Sequence, residues 1–313
     1  MATDGWTAQD ISDLAGRRVL VTGGNSGIGL EACRAFAARG AHTILGCRNP
    51  AKASEAVAQL RSESPDATVE AMPLDLANLG SVRDFAKQFC AAQGRLDILC
   101  NNAGVMALPH RETVDGFEMQ IGTNHLGHFA LTGLLLEPLL ATPGARVVTV
   151  SSTFHRRGRI RFDDLQWKRG YRKWKAYAQS KLANLLFAYE LQRRLQARGA
   201  GLASVAAHPG YASTNLQTVG ARMEGSTVAE SLQNLGNRLL AQSAAMGALP
   251  TLYAATAPDV RGGDYIGPDG RFEMRGHPVK VGSNPRSRDE EAARRLWSLS
   301  EKLTDVHYEA LAG

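Results

Sequence analysis

A chain of 313 residues, 44% hydrophobic and 21% charged, is long enough to bury a core without disulfides or metals and has the composition of an ordinary globular protein. Its four cysteines, Cys33, Cys47, Cys90 and Cys100, are scattered without a CxxC pair, which argues against a disulfide or zinc framework and for thiols in a reducing cytoplasm. The acidic stretch from Met1 to Ala15 lacks the apolar segment of a signal peptide and no run reaches membrane-spanning length, while the net charge of +6 leaves anionic ligands, nucleic acid and membrane surfaces to be weighed as partners.

After the extension at 1–15, Arg17–Thr22 reads as a short strand and Gly27–Arg39 as a helix with apolar residues at helical spacing. Ala41–Cys47 is a second strand and Ala51–Ser62 a second helix. Further strands are expected at Thr68–Pro73, Leu96–Cys100, Ala145–Val150 and Leu202–Ala207, with helices at Leu79–Ala92, Phe117–Leu140 and Ala176–Arg198 between them. Strands alternating with helices imply a parallel sheet covered on both faces by right-handed crossovers. The expected architecture is therefore α/β: one doubly wound Rossmann domain spanning 1–313, with strand order 3-2-1-4-5-6 and a seventh strand near Gly263–Ile266. Pro258–Pro285 is punctuated by Pro and Gly and reads mostly as loop. A substrate lid is expected at 211–240 and a closing helical segment at 286–313.

Directly after the first strand stands Thr22-Gly23-Gly24-Asn25-Ser26-Gly27-Ile28-Gly29, and a helix begins at once. Glycines there permit a tight turn and close approach of a pyrophosphate, which the N–H groups and positive dipole of the helix N-terminus would hold. Gly23, Gly27 and Gly29 fit TGxxxGxG rather than GxGxxG or TGxxGxxG. With Asp75-Leu76, Asn101-Asn102-Ala103-Gly104, Pro209-Gly210 and Tyr177-Ala178-Gln179-Ser180-Lys181 following in order, the chain from about Gly16 to Pro278 resembles the short-chain dehydrogenase/reductase family.

That resemblance implies an NADP(H)-dependent oxidoreductase that moves a hydride between nicotinamide and a carbonyl or alcohol carbon of a small molecule. Asp75 and Leu76 would meet the adenine, and Asn102, Ala103 and Gly104 would line the cofactor. Pro209, Gly210 and Thr214 would lie beside the nicotinamide. Tyr177 and Lys181 stand four apart, on one helix face, so phenol and ammonium can share a pocket. A tyrosine's usual pKa of about 10 is high for proton exchange near neutrality, and a neighbouring ammonium and an oxidised nicotinamide are both expected to lower it. Ser151-Ser152 ends the fifth strand, and the alignment favours Ser152 as the partner of the substrate oxygen. Asn124 matches the family's helix asparagine, which holds a water linking the lysine to solvent, and completes a tetrad of Asn124, Ser152, Tyr177 and Lys181. Met106, Phe154, His155 and Tyr211 are the expected pocket residues. A non-catalytic NAD(P)-sensing protein is the alternative, and sensors on this fold usually lose the Tyr or the Lys, both of which are present here.

His125 and His128 stand three apart with no third ligand at metal spacing, so helix packing is the better reading than a metal site. Cys47 takes the place where NAD-preferring members carry an acidic residue, and Arg48 offers a fork for a 2′-phosphate; NADP(H) is therefore expected over NAD(H). The stretch Thr153–Ala176 is roughly twice the commonest family spacing between serine and tyrosine. With Phe162-Asp163-Asp164-Leu165-Gln166-Trp167 and Ser180-Lys181-Leu182-Ala183-Asn184, it resembles the retinol dehydrogenase, WW-domain oxidoreductase and protochlorophyllide reductase branch. Gly263-Asp264-Tyr265-Ile266-Gly267-Pro268 resembles soluble bacterial members of it. The insert carries nine basic residues, Arg156, Arg157, Arg159, Arg161, Lys168, Arg169, Arg172, Lys173 and Lys175, among Trp167, Tyr171 and Trp174. Such interleaving suits single-stranded nucleic acid, a membrane surface or an anionic substrate, but with no nucleic-acid module present a solvated flap is favoured. The family habit of pairing its two long central helices implies a homodimer through Phe117–Leu140 and Ala176–Arg198.

Overall fold

Strand β1 (Arg18–Thr22) is apolar from Val19 to Val21, as a strand buried on both faces must be. Its side chains alternate: Val19 and Val21 enter one core, Leu20 the other. In the computed structural model, which describes residues 5–211 and 242–311, β1 is an interior strand of an eight-stranded sheet. The other strands are β2 (His42–Cys47), β3 (Val69–Pro73), β4 (Ile98–Asn101), β5 (Arg146–Val150), β6 (Ala203–Ala207), β7 (Tyr265–Pro268) and β8 (Pro278–Lys280). Their order is β3-β2-β1-β4-β5-β6-β7-β8, so the expected core order and seventh strand are both present. Strands β1 to β7 run parallel, and β8 pairs antiparallel to β7, with Gly267 opposite Val279.

The eighth strand lies inside the stretch read as loop. It is three residues long, begins with Pro278 and exposes Val279, all traits of an edge strand that hydrophobic alternation cannot detect.

Helices α1 (Gly27–Ala38) and α2 (Pro50–Glu63) cover one face of the sheet together with α8 (Ala244–Thr256). The other face is covered by α3 (Leu79–Gln93), α5 (Gly127–Leu134), α7 (Lys173–Ala197) and α9 (Glu290–Thr304). The single helix expected at Phe117–Leu140 is instead four pieces: α4 (Met119–Ile121), a π-helical turn at Gly122–Leu126, α5, and α6 (Leu136–Leu140). Glu118 caps the first piece, its carboxylate accepting from the backbone N–H of Gln120 and Ile121, and Pro138, which has no N–H, follows the break at Leu135. The N-terminal extension is part of the fold. Ile11 and Leu14 are buried in the α1-side core, and Trp6 meets Tyr253 edge-on at 5.1 Å.

Helix α9 lies across α5 and α7. Trp297 stacks on Phe187 with ring centres 5.8 Å apart and meets Phe129 edge-on at 5.1 Å. The two helices expected to pair across a dimer axis are thus covered by the chain's own C-terminal helix.

Candidate active site

The strand order reverses between β1 and β4, and the crevice beyond their C-terminal ends is where this architecture binds ligands. The glycine turn after β1 borders that crevice. Gly23 and Gly27 are left-handed, at φ 67° and 53°, and a Cβ on Gly29 would overlap the Gly23 carbonyl oxygen. Ser26 precedes α1 but makes no side-chain cap, and no acidic residue stands in the first turn, so the N–H groups there are left for a ligand. The turn is braced from below. The Thr22 Oγ1 accepts from the N–H of Asn102 and of Ala103, each at 2.9 Å, while Asn102 Nδ2 donates to the Thr22 carbonyl at 2.8 Å. The Asn102 side chain thus ties β4 to β1.

Cys47 is buried at the end of β2, and the N–H groups of Gly24 and Asn25 hydrogen-bond its sulfur; burial pushes its thiol up to about 11. Next to it Arg48 is exposed, with no carboxylate partner among the described residues. Asp75 caps its own turn, accepting from the Ala77 N–H at 3.0 Å, and Leu76 is buried against the start of α5.

Strand β5 delivers the two serines to different sides. Ser151 is 1% exposed and its hydroxyl donates to the Lys181 carbonyl at 2.8 Å, which removes it from any ligand. Ser152 is partly exposed, accepts from the Phe154 N–H at 3.2 Å and is hydrogen-bonded to the phenol of Tyr177. On α7, Tyr177 and Lys181 face the same pocket, with Lys181 Nζ 5.8 Å from the centre of the Tyr177 ring. Lys181 Nζ donates to the Val150 carbonyl at 3.1 Å, and Asn184 Nδ2 donates to the same oxygen at 3.0 Å. Burial pushes the Tyr177 phenol up to about 12 and the Lys181 ammonium down to about 8. Burial dominates both shifts, and the hydrogen bond with Ser152 pulls the phenol the other way.

Asn124 lies in the π-helical turn and is fully buried. Its Oδ1 accepts from the Val105 N–H at 2.7 Å, and its Nδ2 donates to the Val105 carbonyl and to Ser180 Oγ, both at 2.9 Å. The amide thus fastens the loop after β4 to α7. Gly104 sits against both groups, since a Cβ there would stand 3.1 Å from Asn124 Oδ1 and 3.6 Å from Lys181 Nζ.

Of the expected pocket residues, Met106 and Tyr211 are partly exposed, and Phe154 meets Tyr177 edge-on at 5.7 Å. His155 is not on the surface of the pocket. It is 0% exposed, its Nδ1 donates to the Ser152 carbonyl at 2.6 Å and its Nε2 accepts from the Asn284 N–H at 3.3 Å. Pro209 and Gly210 follow β6, partly exposed beside the crevice. Thr214 and the lid expected at 211–240, apart from Tyr211, lie outside the described residues.

Sequence reading missed several supports. His128 is one: its Nδ1 donates to the Asn124 carbonyl at 3.0 Å, so its Nε2 accepts from the Thr22 hydroxyl at 2.8 Å. It links Asn124 to the end of β1 before the glycine turn, and burial holds its pKa near 4, keeping it neutral. His125 instead meets Ser300 of α9 at 2.9 Å, and both imidazoles are buried. Trp174, stacked on Phe154 at 5.2 Å, joins the aromatic wall beside Tyr177.

A largely parallel sheet with a reversed strand order, a glycine turn at the switch point and Ser152, Tyr177 and Lys181 gathered beside it define a doubly wound α/β fold of the dinucleotide-binding type. Residues 17–224 match the family described as short chain dehydrogenase. Human retinol dehydrogenase 13 is 43% identical over 297 residues, covering 94% of this chain and 86% of that protein. Human retinol dehydrogenase 12 is 39% identical over 298 residues, covering 95% and 89%. Among solved structures, an uncharacterized protein from Mycobacterium Paratuberculosis is 46% identical, with a TM-score of 0.79 over 97% of this chain and 99% of that one. The chain belongs to the short-chain dehydrogenase family, in its retinol dehydrogenase-like branch, a family of oxidoreductases that work with a nicotinamide cofactor.

Proposed function

We propose that the protein is an NADP(H)-dependent oxidoreductase interconverting an aldehyde or ketone with its primary or secondary alcohol, with Tyr177 as the acid–base. The observation that carries this reading is the Tyr177 phenol bonded to Ser152 with Lys181 on the same buried helix face. The residues present fit the cofactor: a Cβ on Gly29 would fill the glycine cradle, and the N-terminus of α1 keeps its N–H groups for the pyrophosphate. Arg48 would take the 2′-phosphate, Asp75 and Leu76 the adenine side, and Asn102, Ala103, Gly104, Pro209 and Gly210 the nicotinamide half. When bound, the nicotinamide supplies or accepts the hydride.

The chain's own residues handle the proton. Ser152 holds the substrate oxygen, and Tyr177 donates to that oxygen during reduction or accepts from it during oxidation. Lys181, anchored on Val150, places a positive charge next to the phenol. Phe154 and Trp174 offer an apolar wall beside Tyr177, which suits a large apolar alcohol of the kind named in the relatives. Among the described residues no helix is long and apolar enough to cross a membrane, and all four cysteines are unpaired. We place the protein in the cytoplasm on the strength of those thiols.

The test is NADPH consumption against a panel of carbonyl compounds in wild type and Tyr177→Phe. General acid catalysis is worth about 10²–10⁴ in rate, so the variant should lose that factor in turnover while still binding NADPH. Near-normal turnover by Tyr177→Phe would remove the tyrosine from the mechanism.

A further inference from the structure

The turn between β7 and β8 holds two consecutive non-glycine residues in the left-handed region, Phe272 and Glu273, each at φ 57°. L-residues resist that conformation, and a pair of them persists only where surrounding contacts hold it. Phe272 does not provide the hold, because it is 71% exposed. Glu273 does. One of its carboxylate oxygens accepts from Arg156 at 2.5 Å and the other from His208 Nε2 at 3.0 Å. The tautomer of His208 follows from its other bond: the Gly210 N–H donates to Nδ1 at 3.2 Å, so Nε2 carries the proton. The imidazole is fully buried, and burial holds its pKa below the usual histidine value, so it stays a neutral donor.

The two partners lie on the turns that leave neighbouring strands, Arg156 after β5 and His208 after β6, where Val150 pairs with Ala207. Arg156 belongs to the turn Thr153–Arg157, which Ser152 caps and which His155 ties to the Ser152 carbonyl. His208 immediately precedes Pro209-Gly210. The same β7–β8 turn reaches that segment again through the backbone: the Tyr211 N–H donates to the Met274 carbonyl at 2.7 Å, and a Cβ on Gly210 would stand 2.5 Å from that oxygen. Gln242 adds a third tie, donating to the Pro209 carbonyl at 2.7 Å and accepting from the Gly276 N–H at 3.2 Å.

We propose that Glu273 is a positioning residue whose carboxylate holds the Ser152 turn and the Pro209–Gly210 turn at a fixed separation, so that the turns leaving β5 and β6 stay in register beyond the end of their strand pairing. Glu273 touches neither substrate nor cofactor in this role. The consequence for turnover rests on the oxidoreductase reading; the clamp itself does not.

Glu273→Gln keeps the size of the side chain but removes the charge and turns one acceptor into a donor that faces another donor. In the full-length protein with NADPH, backbone hydrogen exchange at Gly210, Tyr211 and residues 153–158 is expected to rise about ten-fold, the shift in equilibrium for one lost charge-assisted hydrogen bond. Exchange in β1, β4 and β5 should not change. In the kinetic arm kcat should fall about ten-fold while the NADPH dissociation constant stays within about two-fold, a split that a general loss of fold would not give. Arg156→Met cuts one arm from an exposed position and provides the test if Glu273→Gln does not fold. It should raise exchange in the same segments, and the double variant should be no worse than Glu273→Gln alone. Unchanged exchange at Gly210 and Tyr211 in Glu273→Gln would overturn the proposal, or unchanged exchange at 153–158 in Arg156→Met. So would additive kinetic losses in the double variant. A wild type that reduces no carbonyl would instead count against the oxidoreductase reading, and the exchange arm would still decide the clamp.

Discussion

Burial moves the proton affinities of Tyr177 and Lys181 apart, to about 12 and about 8. The phenol therefore keeps its proton through the working range, while the ammonium is present below pH about 8 and lost above it. In the proposed mechanism reduction draws the proton from Tyr177 and is helped by the charge beside it. The kcat/KM for carbonyl reduction should thus be level near neutrality and decline as pH rises through about 8, and Lys181→Met should lack that limb. A wild-type profile that remains level well above pH 8 would show that Lys181 does not control the step. At the other end of the cofactor crevice, Cys47 fills with a sulfur the place where a carboxylate would repel a 2′-phosphate, and Arg48 stands exposed beside it. A charge-assisted contact is worth roughly 1.5–3 kcal/mol, so Arg48→Ala should weaken NADPH about ten-fold or more and leave NADH nearly unchanged. Cys47→Asp should shift preference toward NADH. Titration of both cofactors decides the matter, and equal losses for the two in Arg48→Ala would remove Arg48 from phosphate recognition.

The residues that sequence made legible are those whose chemistry is carried by a local pattern. Gly23, Gly27 and Gly29 sit in one turn, and Tyr177 and Lys181 on one helix face. The supports were illegible for the opposite reason: His128 meets Thr22 and Glu273 meets Arg156 across more than a hundred residues, and no spacing rule relates them. His155 was misplaced because its position next to Ser152 says nothing of the direction its ring takes, which is inward.

Among the elements, the glycine turn and the π-helical turn do the positioning, and they differ in how visible they are. The turn after β1 announces itself by residue type, since only glycine tolerates what the backbone does there. Gly29→Ala would push a methyl group into the Gly23 carbonyl and the Asn102 amide, displacing the cradle at its narrowest point. The expected outcome is a loss of NADPH affinity of at least about ten-fold, read by fluorescence titration, with the sheet core intact by circular dichroism. Full affinity in that variant would mean that the turn relaxes and the cradle is elsewhere. The π-helical turn has no such signature. Periodicity predicts a continuous helix over Phe117–Leu140, because one widened turn barely disturbs the apolar pattern. Yet that turn is what puts the Asn124 amide against the backbone of Val105. Strand β8 escaped for want of length.

At the scale of the whole molecule, the C-terminal helix decides what the surface offers. The faces of α5 and α7 expected to meet a second copy are occupied by α9, whose Trp297 is 2% exposed among Phe129, Phe187 and Tyr308. Light scattering at micromolar concentration should therefore return the mass of one chain, and a dimer mass would show that pairing uses another face. Trp297→Ala should cost about 3–5 kcal/mol of stability, as large aromatic-to-alanine changes in cores do, seen as a lower urea midpoint.

A helix tethered to its own chain meets its groove at an effective concentration in the millimolar range, whereas a separate subunit must be recruited from whatever the cell supplies. By that arithmetic α9 is a built-in competitor for the family's usual pairing surface, and assembly becomes a question of where the tail is docked. A chain shortened to residues 1–289 would present the bare apolar faces of α5 and α7 and should associate as its concentration rises. A peptide of residues 290–311 supplied in excess should return it to single chains.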